Sequence, residues 1–399
     1  MNQMTIGLIP SPDMPNKITD KIKDTLAEDF SKVIDDQIDW DIETHVASMV
    51  GTAEHMDKTM DIISNMKKQK EWDIAICITD LPSISDNKVV LSDIHTEKKT
   101  ALLSLPALGM WNVKNKLRHF LTYLVHYIMK PGEEAQLISK KHFRFSKIDE
   151  VQPDEDSDQK ETRLILKSVV SGWSHLISGM TLANEPWTAI FDFKKIISVS
   201  FATGAYITIF STPWDMTLYY NYWRFILLMI LSIVGMTVWL IYAYQLWETP
   251  SPSTQRLYRY VYNLTTFMTL GSITVFNFIA LFILLTLSTM LFVPPWLYTH
   301  MTSLKSLPSL LDYFNLIWFM TCISILAGAL GSTVENAEKI KRVTYSYRQY
   351  YRYEQLEKER EEEETEGESY NDQENYEGKK QSHSEEGLSL IHISEPTRL

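Results

Sequence analysis

Residues 223–247 read WRFILLMILSIVGMTVWLIYAYQLW, with Arg224 as the only charged residue and a tryptophan at each end. About 20 predominantly apolar residues in a helix are enough to cross a hydrocarbon core of roughly 30 Å. Tryptophan rings favour the headgroup level at either end of such a helix. This stretch therefore predicts a membrane span. Leu264 to Val293 is a second, closing in Pro294-Pro295. Asp312 to Ser332 is a third; it ends in Ala327-Gly328-Ala329-Leu330-Gly331, where small side chains let another helix approach closely. Ile196 to Phe210 is shorter, and counting from Trp187 extends it into a first span.

Loop charge arbitrates between three spans and four, because cytoplasmic loops carry the excess of lysine and arginine. With four spans and a cytoplasmic N-terminus, Lys194 and Lys195 stand at the cytoplasmic entry and the loop from Ser211 to Tyr222 has no lysine or arginine. Arg256 and Arg259 then fall inside, Lys305 alone outside, and Lys339, Lys341 and Arg342 inside. The expectation is an all-α transmembrane bundle of four helices over residues 187–333, with spans at about 190–211, 223–247, 264–293 and 312–332. Both termini are expected in the cytoplasm of a multi-pass cell-membrane protein.

Whole-chain averages hide this. At 399 residues with a net charge of −12 the chain looks soluble, because charged flanks offset the apolar middle. The 11 Trp and 20 Tyr include several that flank the apolar runs. Two cysteines, Cys77 and Cys322, provide neither a disulfide framework nor a cysteine metal site. The apolar run Met4 to Pro10 is too short for a signal-peptide core.

Residues 1–132 alternate strand and helix signals. MTIGLIP (Met4 to Pro10) reads as a buried strand, and Ile18, Ile22, Leu26, Phe30 and Val33 then recur at helical spacing. Ile38 to Val46 alternates as a strand, and Ala53, Met56, Met60, Ile63 and Met66 form the next helix face. DIAICIT (Asp73 to Thr79) is a continuous apolar run suited to a central strand covered on both faces. Val89 to Ile94 and Ala101 to Leu105 suggest a hairpin, followed by an amphipathic helix through Val113, Leu117, Phe120, Leu124 and Ile128. The order β-α-β-α-β-β-β-α predicts an α/β N-terminal domain, three-layer, with a partly parallel sheet.

Beyond it, residues 133–161 read as an acidic linker and 162–186 as an amphipathic juxtamembrane helix. That helix suits either packing on the soluble domain or lying on the membrane surface. Residues 334–388 read as a charged tail, helical or coiled-coil at first and then disordered. The last stretch, 389–399 (SLIHISEPTRL), resembles a translated sequencing adaptor and is set aside.

In open α/β sheets ligands bind beyond the carboxyl ends of the strands. Those ends offer Ser11 and Asp13, then Thr79, Asp80 and Ser83, then Asp93 and His95, as ligand-binding candidates. Ser-Pro-Asp after a strand and Asp80 before Leu-Pro are equally turn and helix-cap chemistry. Asp93 and His95, two apart on a strand, share a face and suit a general base or a metal pair, or else an exposed hairpin end. No glycine-rich dinucleotide turn, P-loop, His-Glu-x-x-His or Cys-x-x-Cys occurs, so no cofactor, metal or catalytic residue is assigned. The acidic balance argues against nucleic acid as a partner, since phosphate binding needs clustered lysine and arginine; Lys98-Lys99 and Lys114 to Arg118 are too small a group.

The Gly7 to Pro12 strand and turn, Ile78-Thr-Asp-Leu-Pro82, Leu102 to Gly109 and Ala183-Asn-Glu-Pro-Trp187 resemble motifs of a group of bacterial multi-pass membrane proteins with an N-terminal α/β domain. The likeness runs from about Met4 to about Ser332. Some of that group carry the label 5,10-methylene-tetrahydrofolate dehydrogenase. This chain lacks both a Tyr-x-x-x-Lys arrangement on a helix after the first domain's strands and a glycine-rich turn. Three functions follow as expectations. One is a membrane-anchored module binding a small-molecule ligand or protein partner. The second is a membrane-tethered enzyme on a cytoplasmic metabolite, and the third a transporter of an uncharged or lipid-like substrate.

Overall fold

The computed structural model describes residues 2–47, 56–130, 148–151, 161–248, 256–331, 337–341 and 344. Most of the acidic segment 133–161, the tail 345–388 and the terminal 389–399 lie outside the described residues.

The chain opens with β1 (Asn2–Pro10), α1 (Met14–Asp20), α2 (Lys23–Val33), β2 (Ile38–Thr44), α3 (Met56–Gln69) and β3 (Ile74–Thr79). The short β4 (Ile84–Ser85), β5 (Lys88–His95), β6 (Thr100–Ser104), a 3-10 turn (Leu105–Leu108) and α4 (Val113–Met129) follow. These elements form a mixed sheet in the order β2-β1-β3-β6-β5, in which the first four strands are parallel and β5 runs antiparallel to β6. Continuous burial of β3 and β6 matches their apolar sequences, since central strands are covered on both faces. Ile22 just before α2, Leu26 and Phe30 of α2 and Leu117, Leu121 and Leu124 of α4 cover one face, and Met60 and Ile63 of α3 cover the other. On β1, Gly7 leaves room for the Trp72 ring, which would lie 1.8 Å from any Cβ there.

The sheet does not stop where the sequence pattern suggests. Ile148–Val151 forms β7 and Glu161–Leu166 forms β8; β8 pairs with β5, and β7 with β8, both antiparallel. The expected linker therefore contributes strands, and the next helix, α5, begins at Val169 and ends at Ala183 rather than covering 162–186. The reason is long-range pairing. Thr162, Leu164 and Leu166 are buried, but the alternation is only six residues long and merges with the helical spacing that follows. One face of α5 packs on the α/β domain: Leu176 and Met180 are fully buried in the core of the sheet.

The helical region continues through a 3-10 turn (Ala189–Phe193), α6 (Lys194–Thr208), α7 (Ser211–Leu218), α8 (Tyr222–Ala243), α9 (Arg256–Phe292), α10 (Pro295–Met301), α11 (Leu310–Gly331) and α12 (Ala337–Lys341). Among the described residues three helices, Tyr222–Ala243, Arg256–Phe292 and Leu310–Leu330, are long and apolar enough to cross a membrane. Ala189–Thr208 and Ser211–Leu218 pass together as a fourth candidate but are bent by 83° at the break between them. The first expected span is thus a broken element, and Trp214 of its second arm is held by stacking on Tyr298 and by donating to the Thr208 carbonyl at 3.0 Å.

Small residues set the packing of α6 on α11. A Cβ on Gly328 would lie 1.8 Å from Ser200 Oγ, and one on Gly204 would lie 2.3 Å from Ser324 Oγ. The two pairs, four residues apart on each helix and in opposite order, describe an antiparallel contact that only small residues permit. The small-residue run at 327–331 meets its partner helix here.

At 1.5 Å per residue, a 37-residue α9 is about 55 Å long, well beyond a hydrocarbon core of roughly 30 Å. It starts eight residues before the apolar stretch, and those turns belong to the α/β domain. Tyr258 donates to the Ile84 carbonyl at 3.4 Å, and Val261 is fully buried in the core of the sheet. At the same level Asn263 clasps the chain leaving α8: its Oδ1 accepts from Glu248 N at 2.8 Å and its Nδ2 donates to the Glu248 carbonyl at 3.4 Å. Burial pushes the Glu248 carboxyl up to about 7, against the opposing effect of Arg259.

Two outcomes are expected. Gly328→Ala lowers the stability of the solubilised protein by about 1–3 kcal/mol, as overpacking does, and Ser200→Gly recovers part of the loss in a double-mutant cycle. Glu248 opposes folding wherever the unfolded chain has ionised it and the folded one has not. The penalty grows from a pH near 4.5 and levels off above about 7. Glu248→Gln should raise the melting temperature relative to wild type at pH 8 and leave it nearly unchanged at pH 4.

Candidate functional site

Strands β1, β3 and β6 end side by side, with Pro10 opposite Ile78 and Thr79 opposite Ser104. Ser11 extends the ladder by donating its N–H to the Ile78 carbonyl at 2.8 Å, and its own carbonyl accepts from Asn16 N. Asp13 is exposed and has φ 67° and ψ −124°, a backbone region costly for a residue with a side chain. This conformation turns the chain from β1 into α1. Thr79 is buried, and its hydroxyl accepts from Leu81 N at 3.1 Å. Ser104 Oγ donates to the Leu81 carbonyl at 2.7 Å, tying the ends of β3 and β6 together.

Asp80 is buried at this edge, with 2 % of its surface exposed. Its charge adds to burial in pushing the Cys77 thiol up to about 12, so Cys77 stays protonated and is no nucleophile at neutral pH. Ser83 is also buried, and its hydroxyl has no hydrogen-bond partner among the described residues. The structure thus brings Ser11, Asp13, Thr79, Asp80 and Ser83 to one edge of the sheet.

Asp93 and His95 belong elsewhere. Because β5 runs antiparallel to β6, its carboxyl end lies at the amino end of the parallel strands: Asp93 faces Leu102 and His95 faces Thr100. Thr100 is four residues before Ser104, about 13 Å away at roughly 3.3 Å per residue. The two residues do share a face, as period two requires, but their partners are on β8. Arg163 donates from Nε to Asp93 Oδ1 at 2.6 Å and from Nη1 to Ser85 Oγ at 3.0 Å, and His95 Nε2 lies 3.1 Å from Glu161 Oε1. These contacts stitch β8 to β5. All seven candidates stand at or just after the ends of apolar runs in the sequence, and only the direction of β5 separates Asp93 and His95 from the other five.

Two groups at the carboxyl edge were missed. Lys116 of α4 is 9 % exposed and donates from Nζ to the Leu108 carbonyl at 2.6 Å, and burial pushes its ammonium down from the ordinary lysine value. His175 of α5 holds Nδ1 2.8 Å from the Ser171 carbonyl, and its ring lies against Gly109, where a Cβ would come within 2.4 Å of Cδ2. Burial pushes the imidazole down and the nearby Lys116 charge adds to this, with the Ser171 contact opposing. The available signal was a lysine within the apolar face Val113, Leu117 and Phe120; His175 had none.

The carboxyl edge therefore combines a buried carboxylate, a buried ammonium, an imidazole held toward neutrality and several hydroxyls, with α5 and the start of α9 packed beside them. Such a set can bind a polar ligand. Among the described residues no group of three or more histidines, cysteines and carboxylates is placed to hold a metal ion. No family model, no curated protein and no solved structure matches the chain.

If Asp93 and Arg163 are structural, Arg163→Met removes a charge-assisted hydrogen bond and costs about 1–3 kcal/mol. Chemical denaturation should show this loss, and any ligand response generated at the carboxyl edge should survive it.

Proposed function

We propose that the protein is a membrane-anchored regulatory module. Its cytoplasmic α/β domain binds a small-molecule ligand or a protein partner at the carboxyl edge of the sheet, and its bundle crosses the bilayer four times with both termini in the cytoplasm. The observation that carries this reading is α9. One unbroken helix contacts the carboxyl edge through Tyr258 and Val261 and then continues into the apolar bundle. A rigid helix bonded at one end to the site transmits displacement along its length, and the hydrogen bond from Asn184 Nδ2 to Thr269 Oγ1 at 2.8 Å ties α5 into the same unit. The loop charges support the sidedness, with Lys194, Lys195, Arg256 and Arg259 on one side and Lys305 alone on the other.

A membrane-tethered enzyme acting on a cytoplasmic metabolite is the second reading. Lys116 and His175 favour it, since both are pushed toward neutrality at the ligand-binding edge of the sheet.

The test is a thermal-shift screen of the full-length protein in detergent against nucleotides, folates, nicotinamide cofactors and divalent metals. One class should raise the melting temperature by several degrees, and Asp80→Ala should abolish that response while membrane insertion is retained. A response unchanged in Asp80→Ala would remove the carboxyl edge as the site. No response to any class would turn the search to co-purifying proteins. Turnover of the stabilising compound, lost in Lys116→Met with binding preserved, would favour the enzyme over the sensor.

A further inference from the structure

Trp111 is 77 % exposed and its neighbour Met110 is 38 % exposed. They sit at the tip of the loop between the Leu105–Leu108 turn and α4, and among the described residues of the α/β domain no other aromatic side chain is as exposed. A lone tryptophan facing water is unfavourable, whereas its amphipathic ring is stable at the headgroup level of a bilayer. The position of the loop decides what covers it.

That position follows from α5 and α9. Thr265 Oγ1 lies 3.6 Å from Met180 Sδ, and Asn184 bonds Thr269, so the two helices run side by side in the same direction. Gly179 lies against the Pro106 carbonyl, which places the Leu105–Leu108 turn level with residues 264–265, where the apolar stretch of α9 begins. Gly109 packs on His175, four residues earlier on α5, or about 6 Å back at 1.5 Å per residue. The loop therefore stands about one helical turn to the domain side of the apolar boundary, at the depth where tryptophan is preferred.

Local geometry aims it outward. Gly109 has φ 77° and Asn112 φ 55°, two left-handed residues that bracket Met110 and Trp111, while Gly109 is held against His175. Lys114, exposed in the first turn of α4, adds a cation three residues along the chain. An aromatic with a neighbouring lysine suits an anionic headgroup layer.

We propose that residues 109–112 form a membrane-contact loop, in which Met110 and Trp111 enter the headgroup layer and Lys114 meets anionic lipid. This gives the α/β domain a hold on the bilayer separate from the spans. It rests on the membrane reading of the bundle.

The experiment places a nitroxide at Met110→Cys in the full-length protein, in nanodiscs of phosphatidylcholine and phosphatidylglycerol. Cys77 and Cys322 are buried and do not compete for the label. Collision with oxygen, which partitions into lipid, is compared with collision with a water-soluble nickel chelate. Val238→Cys on an exposed face of α8 is the lipid reference, and Glu97→Cys at the opposite edge of the sheet is the water reference. The label at Met110 should favour oxygen over nickel to a degree between the two references. A value equal to that at Glu97 while Val238 reads lipid would overturn the loop contact alone. Exclusion of both reagents would also overturn it, because the loop would then be covered by protein. A water-like value at Val238 would remove the membrane reading, and the loop contact with it.

Discussion

The close approach of α5 to the turn ending β6 is the constraint on which the two halves of the molecule depend. Any Cβ at Gly179 would come within 2.1 Å of the Pro106 carbonyl oxygen, so the helix backbone itself lies on the turn. From that contact Leu176 and Met180 reach the core of the sheet, Met180 touches Thr265, and Asn184 bonds Thr269. A larger residue would push α5 off the turn and separate the α/β domain from α9. The domain is thus bound to the bundle by packing through two helices, in addition to the covalent connection.

This arrangement changes the meaning of the carboxyl edge. In a free α/β domain that edge opens to solvent, but here α5 and the first turns of α9 pack beside it. Asp80 and Lys116 are buried at this edge, and burial is the leading cause of the downward shifts at Lys116 and His175. Both helices continue from this edge toward the bundle, α5 through the Asn184–Thr269 hydrogen bond and α9 through its own length. His95 and Glu161 lie toward the opposite edge, and together with Asp93 and Arg163 they join β5 to β8.

Inside the bundle, the buried polar side chains include several hydroxyls and the Asn277 amide. Thr237, Thr274, Asn277, Ser200 and Ser324 are buried, while residues 225–243, 264–292 and 313–331 contain no lysine, arginine, histidine, aspartate or glutamate. Ser200, Thr274 and Asn277 line a crevice too tight for a water molecule. Small side chains at this level allow the close helix packing that apolar lipid cannot drive by itself.

The three long apolar helices, strands β1, β2, β3, β5 and β6 and helix α4 were legible in the sequence because each is a local period: twenty apolar residues, a continuous or alternating apolar run, or a face repeating every three to four residues. The small-residue run near Gly328 was also legible, since helix approach depends on side-chain size. Tertiary structure alone decided the rest. The direction of β5 separated Asp93 and His95 from Asp80, and pairing with β5 drew β8 out of an apparently polar linker. Docking of α5 brought His175 to the site. These depend on partners distant in the chain, and a residue's neighbours across a sheet edge or a helix contact leave no periodic mark in its own segment.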